Sequence, residues 1–239
     1  RHKPDIRLVY TADFDSDTDL PLDMAPTEVY RFPAPGRITG SRPVIAGFGP
    51  CGMFAALMLA EAGMRPLVIE RGAPVDERIK DVERFWAEGM LDPESNVQFG
   101  EGGAGTFSDG KMTTGIKDIR IRKVLGEFVE AGADSSILYR HKPHIGTDRL
   151  RLVVKNIRKK IESLGGEIMF RTKLAGLDVS DEDGCRKLKG IYTEYTGSGS
   201  LARRHIETDK LILAVGHSAR DTFEMLYDEG VLFMQKPFS

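Results

Sequence analysis

Three features of the sequence predict an α/β fold with a mostly parallel sheet, crossover helices and an antiparallel β-meander. Val44-Ile45-Ala46 is a short apolar run stopped by Gly47, as a strand buried on both faces should read. A helix follows from Pro50 to Ala62, closed by Gly63, and Leu67 to Ile69 is a second apolar strand, which completes a βαβ unit. Further on, Ile168 to Arg171, Leu174 to Val179, Leu188 to Tyr195 and Leu201 to Ile206 alternate or are rich in β-formers. The turn sequences Asp181-Glu182-Asp183-Gly184 and Thr196-Gly197-Ser198-Gly199-Ser200 separate them, and together they read as a meander.

The remaining elements fall between these in order. Ile6 to Tyr10 reads as the last strand of a preceding domain. Asp13, Asp15, Asp17, Asp19 and Asp23 with Pro26, Pro33, Pro35 and Pro43 read as a linker too poor in apolar residues to order itself, so a boundary is expected near Ser41. Ile79, Val82, Phe85, Trp86 and Met90 recur at helical spacing, as do Ile121, Val124, Leu125 and Phe128. Leu150, Val153, Val154, Ile157, Ile161 and Leu164 mark another helix, whose other face carries Arg149, Arg151, Lys155, Arg158, Lys159 and Lys160. Leu211 to Val215 reads as a fully buried strand. Asp221 with Glu224 reads as a capping box opening a short helix that ends at Gly230.

Composition narrows the function classes. In 239 residues, 41% are hydrophobic and 29% charged, which excludes wholesale disorder and fibrous repeats. Lys plus Arg at 34 against Asp plus Glu at 36 leaves a net charge of −2, so no global basic field invites nucleic acid or an acidic membrane surface. The basic helix face from Arg149 to Lys160 is the best local nucleic-acid candidate and reads more simply as a solvated face. The longest apolar stretch, Met53 to Ala60, is far short of the ~20 residues a spanning helix needs. Two distant cysteines, Cys51 and Cys185, give neither a disulfide framework nor a metal site, and fit a reducing cytoplasm. His141 and His144, three apart around Pro143, do not form a helical metal pair, so no metal is expected.

Gly47-Phe48-Gly49-Pro50-Cys51-Gly52 is a G-x-G-x-x-G between a buried strand and a helix, and Glu70 ends the next strand. Each part has a physical task in binding a dinucleotide. Gly47 permits the tight turn, Gly49 lets backbone approach a pyrophosphate, Gly52 lets helix and strand pack, and Glu70 accepts from ribose hydroxyls. Gly197-Ser198-Gly199-Ser200-Leu201-Ala202 fits the variant pattern, but the eight residues Arg203 to Lys210 leave no room for a crossover helix before the next strand. Gly100 to Gly110 holds five glycines in eleven positions, followed by Lys111, and such a backbone can approach a planar ring or phosphates, with Thr106, Ser108 and Lys111 as donors.

With Glu70-Arg71-Gly72, Gly102-Gly103-Ala104-Gly105-Thr106, the meander and Ala214-Val215-Gly216, the chain from about residue 42 to 239 resembles the Rossmann-like FAD-binding domain of glutathione-reductase-type flavoproteins. More narrowly, Val97 to Lys111, Pro143 to Asp148 and Ala214 to Asp221 look like the bacterial FAD-dependent dehydrogenases often labelled NAD(P)-utilizing. The resemblance implies that Gly47, Gly49 and Gly52 meet the FAD pyrophosphate and Glu70 the ribose, with Pro50, Cys51 and Arg71 also expected among the cofactor-binding residues. It places the loop of Gly102, Gly103, Ala104, Gly105 and Thr106 near pyrophosphate and flavin, the backbone at Leu174 at the adenine, and Ala214 and Gly216 at the closing strand; the donors Ser108 and Lys111 are expected to join the cofactor-binding residues. It also implies that residues 1 to 41 are the tail of a ferredoxin-like domain, and that a substrate domain and a C-terminal flavin segment are missing, so the chain is expected to be truncated at both ends. Cys51 departs from the usual alanine and reads as a small packed thiol.

The function expected on this footing is an FAD-dependent oxidoreductase with a small-molecule substrate and NAD(P)H, or another electron carrier, as transient partner. Lys111 is the candidate cation for a reduced flavin, and His144 and His217 are candidate proton carriers. Two other readings stay open. One is a flavin-binding module without redox turnover, a scaffold or RNA-modification partner that uses the basic helix; the other is a simple NAD-binding dehydrogenase.

Overall fold

The computed structural model of the chain describes residues 17, 30, 40–107, 118–140, 145–197 and 203–235. The expected strand Ile6 to Tyr10 and most of the linker lie outside the described residues. β1 (Val44–Ala46), β2 (Leu67–Ile69), β3 (Glu167–Met169) and β7 (Leu211–Leu213) form a parallel sheet in the order β3-β2-β1-β7. β4 (Thr172–Glu182), β5 (Cys185–Tyr195) and β6 (Arg203–Glu207) form an antiparallel meander in chain order. The β4–β5 hairpin turns at Asp183 and Gly184, both with positive φ (55° and 74°), which matches the right-handed twist of its strands.

Alternation along the parallel strands makes a layered molecule. Ile45 and Val68 point to one face, where α1 (Pro50–Glu61) and α4 (Thr147–Ser163) pack with Met53, Leu57, Val153, Ile157 and Ile161, and Phe128 of α3 (Arg120–Glu130) joins them. Val44, Ala46, Leu67 and Ile69 point to the other face, where Leu174 and Ile191 of the meander and Leu226 of α5 (Arg220–Asp228) cover them. A sheet covered on both faces is why β1 and β2 read as continuous apolar runs.

Several expectations need correction. Ile168 to Arg171 does not open the meander: Ile168 and Met169 belong to β3, which pairs with β2 in parallel, as a strand leaving a crossover helix must. Arg171, at φ 50°, then turns the chain into β4. The closing strand is shorter and less buried than Leu211 to Val215 implied. Leu211 and Ile212 are half-buried and Leu213 is exposed, because β7 has only β1 beside it among the described strands.

α2 (Val75–Glu88) ends at a left-handed Gly89, so Met90 lies beyond it, and Trp86 is 60% exposed. The buried stripe of α2 is Val75, Arg78 and Val82; of the expected stripe only Val82 is fully buried, Ile79 and Phe85 are half-buried, and an arginine takes a core position. No capping box opens α5: the cap residue is Ala219, and Asp221 bonds Arg71 instead. The basic face of α4 is not simply solvated. Lys155 pairs with Asp76, Arg158 with Glu101, and Lys160 with Glu127 and Glu130, at 2.7 to 3.0 Å. Among the described residues, no helix is long and apolar enough to cross a membrane.

Candidate functional site

The carboxyl ends of β1, β2 and β7 meet the start of β4 around a cleft of about 490 Å³. The turn after β1 is shaped by close backbone packing. Gly47 sits at φ 102°, and a Cβ there would lie 2.4 Å from the carbonyl oxygen of Ala214; a Cβ at Gly52 would lie 1.9 Å from that of Gly47. Side chains are therefore excluded at both positions by backbone that cannot move aside. Gly49 differs. Its φ is −74°, and the only atom within 4 Å of a Cβ there is the Gly103 Cα at 3.8 Å. Gly49 is also the N-cap of α1 and offers no capping side chain. With Pro50 and Cys51 it lines the cleft, so the positive end of the helix dipole and its first amides open onto it, and Cys51 is exposed there rather than the packed thiol that was expected.

Glu70, 4% exposed, directly follows β2 and ties the cleft together. One carboxylate oxygen accepts from the Phe48 amide at 2.6 Å, and the other from Gly72 at 2.9 Å and Gly100 at 3.0 Å. An ionised carboxylate has about four lone-pair positions, so one acceptor position remains beyond these three amides. Arg71 turns the other way: its guanidinium bonds Asp221 at 2.8 and 2.9 Å and Thr222 at 3.1 Å, and lies 4.4 Å from the Phe99 ring centre. Burial works against ionisation of Asp221, but the hydrogen bond and charge of Arg71 outweigh it and hold the carboxyl below the usual range. Lys173 stands near the same group, 3.6 Å from Glu94 and 3.9 Å from Asp221.

The opposite wall is the loop from Ser95 to Phe107, which ends in a short helical turn, Ala104–Phe107. The Gly102 amide bonds the Phe48 carbonyl at 2.9 Å, and Gly103 packs on Gly49 and Pro50, so the two glycine-bearing segments meet. Beneath the loop Arg78 is fully buried. Its guanidinium donates to the carbonyls of Asn96, Val97, Gly100, Glu101 and Gly103 at 2.6 to 3.3 Å. Burial pushes Arg78 down to about 10, against the pull of Glu70 and Glu101, so it stays charged near neutral pH. Glu101 is also buried. It accepts from the Val75 amide at 2.6 Å and from Arg158 at 2.8 Å, while desolvation holds its carboxyl above the usual range.

Of the residues expected from sequence, Gly47, Gly49, Pro50, Cys51, Glu70, Arg71, Gly103, Ala104, Leu174, Ala214, Gly216 and His217 line this cleft. Gly52, Gly102, Gly105 and Thr106 are not among its lining residues, and Thr106 is buried with no hydrogen-bond partner for its hydroxyl. Ser108, Lys111 and His144 lie outside the described residues. Sequence reasoning missed Arg78, Phe99, Lys173 and Thr222. The signal for Arg78 was available only as a cation on the apolar stripe of α2. Among the described residues, no group of three or more His, Cys, Asp and Glu side chains could hold a metal ion.

No protein-family model matches the chain. An uncharacterized protein of Clostridium beijerinckii is 52% identical over 199 residues, which covers 83% of this chain and 35% of that protein. The chain thus spans about a third of the length of this relative. Among solved structures, THI4 of Thermovibrio ammonificans superposes with a TM-score of 0.52 at 18% identity, covering 79% of this chain and 62% of that one. L-proline dehydrogenase from P. horikoshii gives a TM-score of 0.47 at 15% identity, covering 78% and 55%. The likeness to THI4 concerns the fold alone, which in this chain is an α/β domain with a four-stranded parallel sheet and a three-stranded antiparallel sheet.

Proposed function

We propose that the cleft binds FAD and that the chain is the cofactor-binding part of an FAD-dependent oxidoreductase. The observation that carries the reading is the contrast among the three glycines of the turn. Gly47 and Gly52 are demanded by backbone contacts, whereas Gly49 faces open cleft at an uncapped helix N-terminus. A bare backbone at that place fits a pyrophosphate, which needs close approach, free amides and a positive dipole end. FAD rather than NAD is supported by the second wall and by Leu174, since a simple NAD turn needs neither a glycine-rich loop nor a meander strand beside it.

When bound, FAD supplies the hydride and electron transfer. The residues of this chain then bind and orient. Gly47, Gly49 and Cys51 hold the pyrophosphate side, with Gly103 and Ala104 across from them. The remaining acceptor position of Glu70 takes a ribose hydroxyl, and the backbone at Leu174 borders the adenine. Ala214, Gly216 and His217 edge the cleft from the end of β7. Lys111 and His144 are proposed, with His217, as groups that stabilise charge or hold a proton. NAD(P)H or another carrier is the proposed electron partner, a small molecule the substrate, and the cytoplasm the location. The scaffold or RNA-partner reading loses its main support, because Lys155, Arg158 and Lys160 of α4 are paired with carboxylates of this chain.

The test is an absorbance spectrum of the purified protein, with any released cofactor identified by mass. FAD in the wild type and its loss in Gly49→Val support the reading. A protein that refuses added FAD and binds NAD(H), or unchanged flavin content in Gly49→Val, overturns it.

A further inference from the structure

We infer that Arg78 is a positioning residue of the cleft: its buried guanidinium gathers five carbonyls of the segment 96–103 away from the cleft, leaving that wall fit to receive an anionic cofactor. The inference rests on the reading of the cleft as a flavin nucleotide site. A loop that curls tightly through glycines must turn some carbonyl oxygens inward, and buried carbonyls need donors. Arg78 meets this need from a single side chain, with contacts to Asn96, Val97, Gly100, Glu101 and Gly103. Arg78 is not itself a lining residue, whereas Gly100 and Gly103 are, so these carbonyl dipoles are held behind the cleft wall. Carbonyl oxygens turned toward a pyrophosphate would repel it.

Two further contacts fix the guanidinium. The Phe107 ring lies 4.7 Å from its central carbon, and a Cβ at Gly100 would come 2.4 Å from its Cδ, so the stem fits only beneath glycine. Lysine cannot substitute, because three rotating N–H donors cannot serve five carbonyls in this planar arrangement.

The experiment compares wild type, Arg78→Lys and Val82→Ala in the intact protein. Val82 lies on the same buried stripe of α2 and controls for general loosening. FAD affinity is measured by equilibrium dialysis, and amide exchange of residues 97–103 is followed without cofactor. Arg78→Lys is expected to weaken FAD at least about tenfold and to speed exchange of these amides by a similar factor. Val82→Ala is expected to change both less than about twofold, even where its Tm falls as far. Exchange in Arg78→Lys equal to wild type, or equal loss of FAD affinity in Val82→Ala, overturns the inference. A wild type that binds no FAD sinks the flavin reading alone, since the exchange comparison still decides whether Arg78 orders the wall. Should Arg78→Lys fail to fold, Phe107→Leu removes the ring that lies against the Arg78 and Arg151 guanidinium groups, with Arg151→Gln as the control for the second contact. A two- to threefold faster exchange then supports the inference, and unchanged exchange overturns it.

Discussion

The two glycine-bearing walls of the cleft are held by different physics. The turn after β1 keeps its shape chiefly by backbone fit: Gly47 lies against Ala214 and Gly52 against Gly47, and a single ionised side chain, Glu70, reaches it, at the Phe48 amide. The loop from Ser95 to Phe107 has no strand to lean on. Besides backbone bonds such as that from the Gly102 amide to the Phe48 carbonyl, it depends on charges that reach it from elsewhere, Arg78 from α2 at its carbonyls and Glu70 from just past β2 at the Gly100 amide. Sterics therefore set the first wall, and hydrogen bonds to buried ions set the second. Substitutions should separate the two.

The largest effect is expected at Gly52. A side chain there meets a backbone carbonyl at 1.9 Å, and neither α1 nor β1 can retreat without breaking core contacts. Gly52→Val should cost more than about 3 kcal/mol, against the gain of up to about 1 kcal/mol that removing a helical glycine brings. Urea unfolding measures this, and a variant within 1 kcal/mol of wild type would show that the turn is softer than its contacts imply.

Next in size is Glu70→Gln, which probes the buried ion that joins the two walls. The amide keeps one oxygen for Gly72 and Gly100 but sets an NH₂ against the Phe48 N–H, so a buried donor loses its partner. A cost of about 2 kcal/mol is expected, with faster amide exchange at Phe48 than at Met53 inside α1. Equal exchange at the two sites would mean that Glu70 does not join the walls.

The two walls also differed in how far they could be read from residues alone. β1, the glycine turn, α1 and β2 are consecutive, and the motif that marks the turn lies wholly within this βαβ segment, so local pattern was enough even though Ala214, Gly102 and Gly103 also pack on it. Arg78 was invisible to that reading because hydrophobic periodicity ranks an arginine as solvent-facing. The buried stripe of α2 runs through residues 75, 78 and 82, which displaced Trp86 to the surface. Ile168 and Met169 carry the alternation of any half-buried strand, and only the crossover through α4 sends them to the parallel sheet. Asp221 and Glu224 have the spacing of a capping box, but Arg71, distant in sequence, takes the carboxylate.

Gly49→Ala should move stability little. Its Cβ would sit at ordinary contact distance from Gly103, at a φ that alanine adopts, so about 1 kcal/mol or less is expected, chiefly from the poorer helix cap. The pair Gly52→Val and Gly49→Ala, followed by calorimetry, separates a glycine required by packing from one required by the open cleft. A loss at Gly49 as large as at Gly52 would remove that distinction.

The smallest effect concerns the Arg71–Asp221 bond, which joins the end of β2 to α5. The Asp221 side chain is about half exposed, so solvent screens the pair and Asp221→Asn should cost a few tenths of a kcal/mol at neutral pH. Its pH dependence has a definite sign. Because Arg71 holds the carboxyl below the usual range, the folded state binds the proton less readily than the unfolded chain does. The stabilisation is therefore present above the usual carboxylate range and is lost as pH falls through the lowered value. The Tm difference between wild type and Asp221→Asn should shrink to nothing across that acid window. A difference that stays constant on acidification would mean that the contact acts through packing against Thr222 and Phe99 rather than through charge.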